Sequence, residues 1–239
     1  MHFLCLHGAG TNSHVLETQT ASLRHELDGH HTFDFVEGSI SCPVAPGKIP
    51  FLALWVLDQL ILRAEIKPFF ASADKYYRYY DGNADSILRA LSQLSHFISE
   101  EGPFDGVIGF SQGATLLATY LVLVNKQQPE APVPFRCAIF LSATRPFDTQ
   151  ALTTGQLKYV EQTAEAEPLI RLPTTHIWGV KDIENRDDSE QLSMLCDEAQ
   201  REEVKHDGGH EIPGARAQSD LQNCVKAIRR TIELASIKC

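Results

Sequence analysis

The sequence predicts an α/β fold: a mostly parallel central sheet with helices on both faces. Short apolar runs of strand length alternate along the chain with amphipathic segments of helix length, the pattern of a parallel sheet covered on both sides. No internal repeat, low-complexity tract or evident linker interrupts that alternation. Taken in order, the strands fall at His2–Leu6, Thr32–Val36, Asp105–Gly109, Arg136–Leu141, Thr174–Gly179 and Glu203–Lys205. The helices fall at His14–Leu27, Asn83–Glu100, Gln112–Asn125, Ser189–Gln200 and Ala215–Ile237. Within Gln112–Asn125, Leu116, Leu117, Tyr120, Leu121 and Val124 recur at spacings of three and four, so one face should bury against the sheet.

Two regions depart from the alternation. Residues 38–82 mix Pro43, Pro46, Pro50 and Pro68 with an apolar stretch and the aromatic run Tyr76, Tyr77, Tyr79 and Tyr80. Residues 144–173 are rich in Thr, Gln and Glu. Long connections inside a folded domain commonly serve as lids or binding loops, and both are read as lid or substrate-pocket segments. The Tyr76–Tyr80 run reads equally as an aromatic pocket lining or as a packed edge over the sheet.

Composition narrows the function classes. Of 239 residues, Lys and Arg number 21 against 31 Asp and Glu, a net charge of −10 that disfavours nucleic acid or an anionic membrane surface as partner. The hydrophobic share of 43% supports a substantial core. Apolar runs such as Leu116–Val124 fall short of the ~18 to 20 residues a membrane span needs. The opening MHFLCLHGAG has neither the basic leader nor the long apolar core of a secretion signal. Cys5, Cys42, Cys137, Cys196, Cys224 and Cys239 are widely spaced and read as reduced thiols, so a cytoplasmic setting is expected.

The strongest local motif is Gly109-Phe110-Ser111-Gln112-Gly113, between the strand ending at Gly109 and an apolar helix. A strand running straight into a helix needs a very tight turn, and small residues flanking the serine let the two backbones approach. Such a turn lifts the hydroxyl above the carboxyl end of the sheet, at a helix N-terminus. The blander reading is that the glycines serve only strand–helix packing.

A serine nucleophile needs an adjacent base, itself oriented by an acid, and after such a turn the order is Ser, acid, His. Downstream of Ser111 the histidines are His176, His206 and His210. His176 lies inside a strand and reads as structural. His210 follows the Gly208-Gly209 pair, which can swing an imidazole over the sheet edge, and is the expected base; His206 sits closer to the strand end. A metal reading of His206 with His210 is weak, because the glycines break the helix that would align the rings. Asp182 is the first carboxylate after the strand ending at Gly179 and is the expected acid. Glu184, Asp187 and Asp188 compete, the last two being better suited to a helix start. For the oxyanion hole, Gln112 supplies one main-chain N–H, and the His7-Gly8-Ala9-Gly10 loop supplies another, Ala9 before Gly10. His7 is expected to hold that loop by hydrogen bonding. No metal or cofactor is called for.

Together, Leu4-Cys-Leu-His-Gly-Ala-Gly-Thr-Asn-Ser13, Gly109-Phe-Ser-Gln-Gly113, Gly179-Val-Lys-Asp182 and Gly208-Gly-His-Glu-Ile-Pro213 resemble the fungal serine hydrolase family of α/β-hydrolases, over almost the whole chain. The resemblance implies an α/β-hydrolase fold and a cofactor-free esterase or thioesterase, with Ser111, Asp182 and His210 as its triad. Several members serve polyketide pathways, so the implied substrate is a small-molecule acyl ester or thioester, free or held on a carrier protein. One departure stands out: where the family often has a hydrophobic residue and a proline after the acid, this chain has Ile183-Glu-Asn-Arg-Asp-Asp188. The rival readings are acyl transfer to an alcohol, C–C bond hydrolysis with the same triad, and a non-catalytic binder. Because the motifs at residues 9, 111, 182 and 210 must meet at one sheet edge, residues 1–239 are expected to form a single catalytic domain.

Overall fold

In the computed structural model, residues 1–27, 29–43, 75–127, 133–161 and 167–237 are described. Its centre is a six-stranded, all-parallel sheet of order β2-β1-β5-β6-β7-β8. The strands are β1 (His2–Leu6), β2 (Thr32–Val36), β5 (Gly106–Phe110), β6 (Cys137–Leu141), β7 (Thr174–Gly179) and β8 (Arg201–His206). β3 (Ile40–Cys42) and β4 (Tyr76–Arg78) form a separate antiparallel pair, with Ser41 opposite Tyr77.

Burial follows strand position. β5, β6 and β7 are buried at every residue, as expected of inner parallel strands covered on both faces. The edge strands β2 and β8 are partly exposed, and they carry the polar sequences Thr-Phe-Asp-Phe-Val and Arg-Glu-Glu-Val-Lys-His. Side chains along β1 alternate between two cores. Leu4 and Leu6 join one with Val107 and Phe140; Phe3 and Cys5 join the other with Ile108 and Ile139.

Helices close both faces. α1 (Ser13–Gln19), α2 (Ala21–Leu27) and α7 (Gln218–Ile237) cover the core containing Phe3, while α3 (Ala84–Glu101) and α4 (Gln112–Gln127) cover the core containing Leu4. α4 is buried continuously from Gly113 to Val122, beyond the single face its spacing predicts, because neighbouring elements also cover its outer side. α5 (Thr149–Thr153) and α6 (Arg186–Met194) lie in the connections after β6 and β7.

The expected elements differ from those observed in instructive places. The helix expected over His14–Leu27 is two helices that break at Thr20, whose hydroxyl bonds back to Leu16 O. The helix expected over Ser189–Gln200 starts earlier, ends at Met194, and is followed by a 3₁₀ turn at Glu198–Gln200, because Cys196 bridges to Ile170. Within the two irregular regions, residues 44–74 and 162–166, including Pro46, Pro50 and Pro68, lie outside the described residues. Cys5, Cys42, Cys137, Cys196 and Cys224 are free thiols, and Cys239 lies outside the described residues. Among the described residues no helix is long and apolar enough to cross a membrane.

Candidate active site

In a parallel sheet all strands end at the same edge, and here that edge collects the chemically capable residues. Ser111 occupies the turn between β5 and α4, with φ at 53°, inside the left-handed region that non-glycine residues rarely adopt. The motif glycines allow this turn. A Cβ on Gly113 would lie 2.5 Å from Leu6 O, and one on Gly109 would lie 2.5 Å from Ala114 Cα. Strand and helix could not approach so closely around any larger residue. Ser111 N–H donates to Leu141 O at 2.9 Å, fixing the turn against β6.

The loops after β7 and β8 are zipped together. Val180 N–H donates to His206 O at 2.9 Å and Lys181 N–H to Gly208 O at 3.0 Å. That pairing places Asp182 beside His210. His210 Nδ1–H donates to Asp182 Oδ2 at 2.6 Å, and His210 Nε2 lies 2.9 Å from Ser111 Oγ, positioned to accept the hydroxyl proton. The Asp182 side chain is 4% exposed against 22% for His210, so the acid is enclosed and the imidazole is open to solvent. The Phe110 ring packs 5.2 Å from the imidazole.

The competing residues are engaged elsewhere. His176 is buried in β7, stacked on Phe140, and burial lowers its pKa to about 3, so it is neutral. His206 ends β8 with Nδ1 accepting from Gly208 N–H at 3.1 Å. Glu184 is exposed, Asp187 pairs with Arg186, and Asp188 pairs with Arg145 at 2.7 Å. Gly10 N–H, the alternative oxyanion donor, donates to Tyr77 O at 2.9 Å.

Ala9 lies in a loop whose orientation is held from behind. Gly8 O accepts from His7 Nδ1–H at 2.7 Å and from Thr11 Oγ1–H at 2.6 Å. A peptide unit is planar and trans, so pinning the Gly8 carbonyl points the Ala9 N–H the opposite way. His7 Nε2 accepts from Gly38 N–H at 2.9 Å, which fixes the tautomer. Burial holds His7 below the usual imidazole range, against the opposing pull of Glu37 3.0 Å away. His7 thus links the loop to the segment leaving β2, in keeping with a loop-holding role.

Gln112 does more than its place in the motif indicates. Its Oε1 accepts from Tyr79 N–H at 2.8 Å and its Nε2–H donates to Tyr80 O at 2.9 Å, so the side chain clasps the backbone that follows β4. Tyr79 and Tyr80 are buried, whereas Tyr76 and Tyr77 belong to β4. Tyr80 meets Phe147 edge-on at 5.7 Å, and Phe147 stacks on Tyr159 at 5.1 Å, so the two irregular regions touch. The contacts of the Thr11 and Gln112 side chains could not be read locally, though both residues belong to motifs already conspicuous. Among the described residues no cluster of His, Cys, Asp and Glu is arranged to hold a metal ion.

Comparison with known proteins agrees with this architecture. The chain is 36% identical over 239 residues to Esterase FPY3 of Fusarium mangiferae, covering 99% of each chain. It is 30% identical over 219 residues to Hydrolase phiM of Talaromyces stipitatus, covering 89% of this chain and 81% of that one. Among solved structures, a carboxylesterase from Mesorhizobium loti superposes with a TM-score of 0.57 at 17% identity, covering 92% of this chain and 86% of that chain. SOBER1 of Arabidopsis thaliana superposes with a TM-score of 0.54 at 14% identity, covering 97% and 99%. At those identities the structures speak to the α/β-hydrolase fold. Residues 1–222 match the family model described as Serine hydrolase (FSH1), and with full-length relatives at this identity the chain belongs to that family of ester-cleaving serine hydrolases.

Proposed function

We propose that this esterase acts through a Ser111–His210–Asp182 triad and an acyl-enzyme, on an ester or thioester of acyl or polyketide type. The observation that carries the reading is the continuous relay from Ser111 Oγ through the imidazole to Asp182, 2.9 and 2.6 Å long, at the carboxyl edge of the sheet. His210 Nε2 takes the Ser111 proton as Oγ attacks the carbonyl carbon. The carbonyl π pair moves onto oxygen, and the oxyanion is met by the Ala9 and Gln112 main-chain N–H groups. Among the described residues neither N–H has an acceptor of its own. The tetrahedral centre collapses, the proton passes from imidazolium to the leaving alcohol or thiol, and a water deprotonated by His210 then releases the acid. Asp182 keeps Nδ1 protonated and stabilises the imidazolium.

The substrate class rests on the likeness to fungal esterases and on the aromatic row in which Phe147 contacts Tyr80 on one side and Tyr159 on the other. We assign residues 38–82 and 144–173 to lid or pocket-wall roles, within one catalytic domain spanning 1–239. The reading covers thioesters held on a carrier protein as well as small-molecule esters, and a series spanning both leaving groups tests it.

The test is labelling with a fluorophosphonate probe, beside turnover of a series of acyl esters and thioesters. Ser111 is the expected labelled residue, and Ser111→Ala is expected to lose labelling and turnover together. An unlabelled Ser111 in folded protein, or turnover that survives Ser111→Ala, overturns the reading.

A further inference from the structure

We propose that Asn185 is a positioning residue of the esterase, holding the oxygen of the Asp182 carboxylate that His210 does not; the proposal rests on the Ser111–His210–Asp182 reading. Asn185 Nδ2–H donates to Asp182 Oδ1 at 2.9 Å, while Oδ2 receives His210 Nδ1–H at 2.6 Å. The same amide nitrogen lies 3.3 Å from His210 Nδ1. Both nitrogens point hydrogens at the carboxylate, one at each oxygen, so neither the rotation of Asp182 about its χ2 nor a swap of its oxygens is left open.

The sequence position makes the arrangement informative. Asn185 is the N-cap residue of α6, yet its side chain makes no capping hydrogen bond. Elsewhere in this chain the same residue type at the same position does cap: Asn12 accepts from Val15 N–H at 2.8 Å, and Asn83 accepts from Ser86 N–H at 2.9 Å. An N-cap asparagine ordinarily accepts from the first turn of its helix. At α6 that service is given up, and the side chain faces the acid instead. Acidic Asp187 and Asp188 in the first turn complement the helix terminus in its place. This is also the stretch where Ile183-Glu-Asn-Arg departs from the hydrophobic-and-proline pattern, and a proline there could offer no such donor.

The chemistry favours an amide. A buried carboxylate needs donors at both oxygens, and a cationic donor would weaken its hold on the imidazolium. A neutral N–H orients Asp182 and leaves its full charge facing His210. The charged neighbours do not substitute for it. Arg186 is turned toward Val180 O and Asp187, and Lys181 is exposed. On the β8 side, His206 is held in the neutral direction by burial and feels Glu211, Asp220 and Asp182.

The experiment measures kcat and KM on p-nitrophenyl acyl esters across about pH 5 to 9 for wild type, Asn185→Ala, Asn185→Asp and Ser111→Ala. Asn185→Ala is expected to lower kcat ~10-fold with KM within ~2-fold, the size of one hydrogen bond to a charged group. Asn185→Asp keeps the shape and adds a second negative charge beside the imidazole, so the acidic limb of kcat/KM should move up by roughly one pH unit. A role confined to starting α6 would change thermal stability and leave that limb in place. The Asp variant, being of equal size, keeps the test alive if Asn185→Ala folds poorly. Wild-type kcat and an unmoved limb in both variants, with Ser111→Ala inactive, overturn the Asn185 assignment alone. Activity surviving Ser111→Ala overturns both it and the triad reading.

Discussion

Thr11→Val isolates the support of the proposed oxyanion hole. Thr11 is buried, and its hydroxyl donates to Gly8 O at 2.6 Å, one of two donors on that carbonyl. Valine preserves the shape and removes only the hydroxyl, and His7 Nδ1–H still serves Gly8 O, so no acceptor is orphaned. Loss of one neutral hydrogen bond should cost about 1 kcal/mol of stability, or roughly 2 to 4 °C in Tm for a chain of this size. The rate effect has a ceiling in the ~10² to 10³-fold lost when an oxyanion donor is deleted outright. With one of two restraints remaining on the Gly8–Ala9 peptide, the expected fall in kcat is about tenfold, equivalent to ~1.4 kcal/mol of transition-state stabilisation. The ground-state carbonyl gains little from the hole, so KM should move less than ~2-fold. Steady-state turnover of an acyl ester, with Ser111 labelling to count intact sites, reads both quantities. A kcat within ~2-fold of wild type, or a rise in KM alone, refutes the link between Gly8 O and the Ala9 N–H.

Two further outcomes follow from backbone strain and from burial. Ser111 sits at φ 53°, where a Cβ costs ~1 to 2 kcal/mol and glycine costs nothing, so Ser111→Gly should be at least as stable as Ser111→Ala in urea unfolding, reversing the usual ~1 kcal/mol advantage of alanine; a clear preference for alanine would contradict the turn geometry. His176, with its pKa lowered to about 3 from an ordinary 6.5, binds its proton more weakly folded than unfolded. Its contribution to stability is therefore complete above pH ~6.5 and is lost as pH falls toward ~3, amounting to about 2 kcal/mol between pH 7 and pH 5. Urea unfolding of His176→Gln at those two pH values should show that much less acid sensitivity, and an unchanged difference would sink the assignment.

Much of the sheet was legible because strand-length apolar or alternating runs leave a plain mark. His2–Leu6, Thr32–Val36 and Thr174–Gly179 coincide with the expected strands residue for residue, since each run is bounded by a change in polarity that also ends the pairing. The early end of α6 was not legible, because it depends on a contact made across the fold, Cys196 with Ile170, whereas the split at Thr20 turns on a side-chain bond to Leu16 O that the apolar spacing does not register. β3 and β4 left no local signal: each is three residues long, and they pair across a long stretch of intervening chain. At the site, Ser111, His210 and Asp182 stand where tight turns and strand ends put them. The partners behind them were hidden for a physical reason. Asn185 looks like an ordinary helix start, and the Gln112 side chain finds Tyr79 and Tyr80 only once the sheet has formed.

The grip of Gln112 on Tyr79 and Tyr80 couples two parts of the fold that are far apart in sequence. β3 pairs with β4, and the backbone just after β4 is fastened by the side chain of Gln112, the residue next to Ser111. A displacement of β4 is therefore transmitted directly to the first residue of α4. One amide thus serves two masters: removing it would slacken the β3–β4 pair and the start of α4 together.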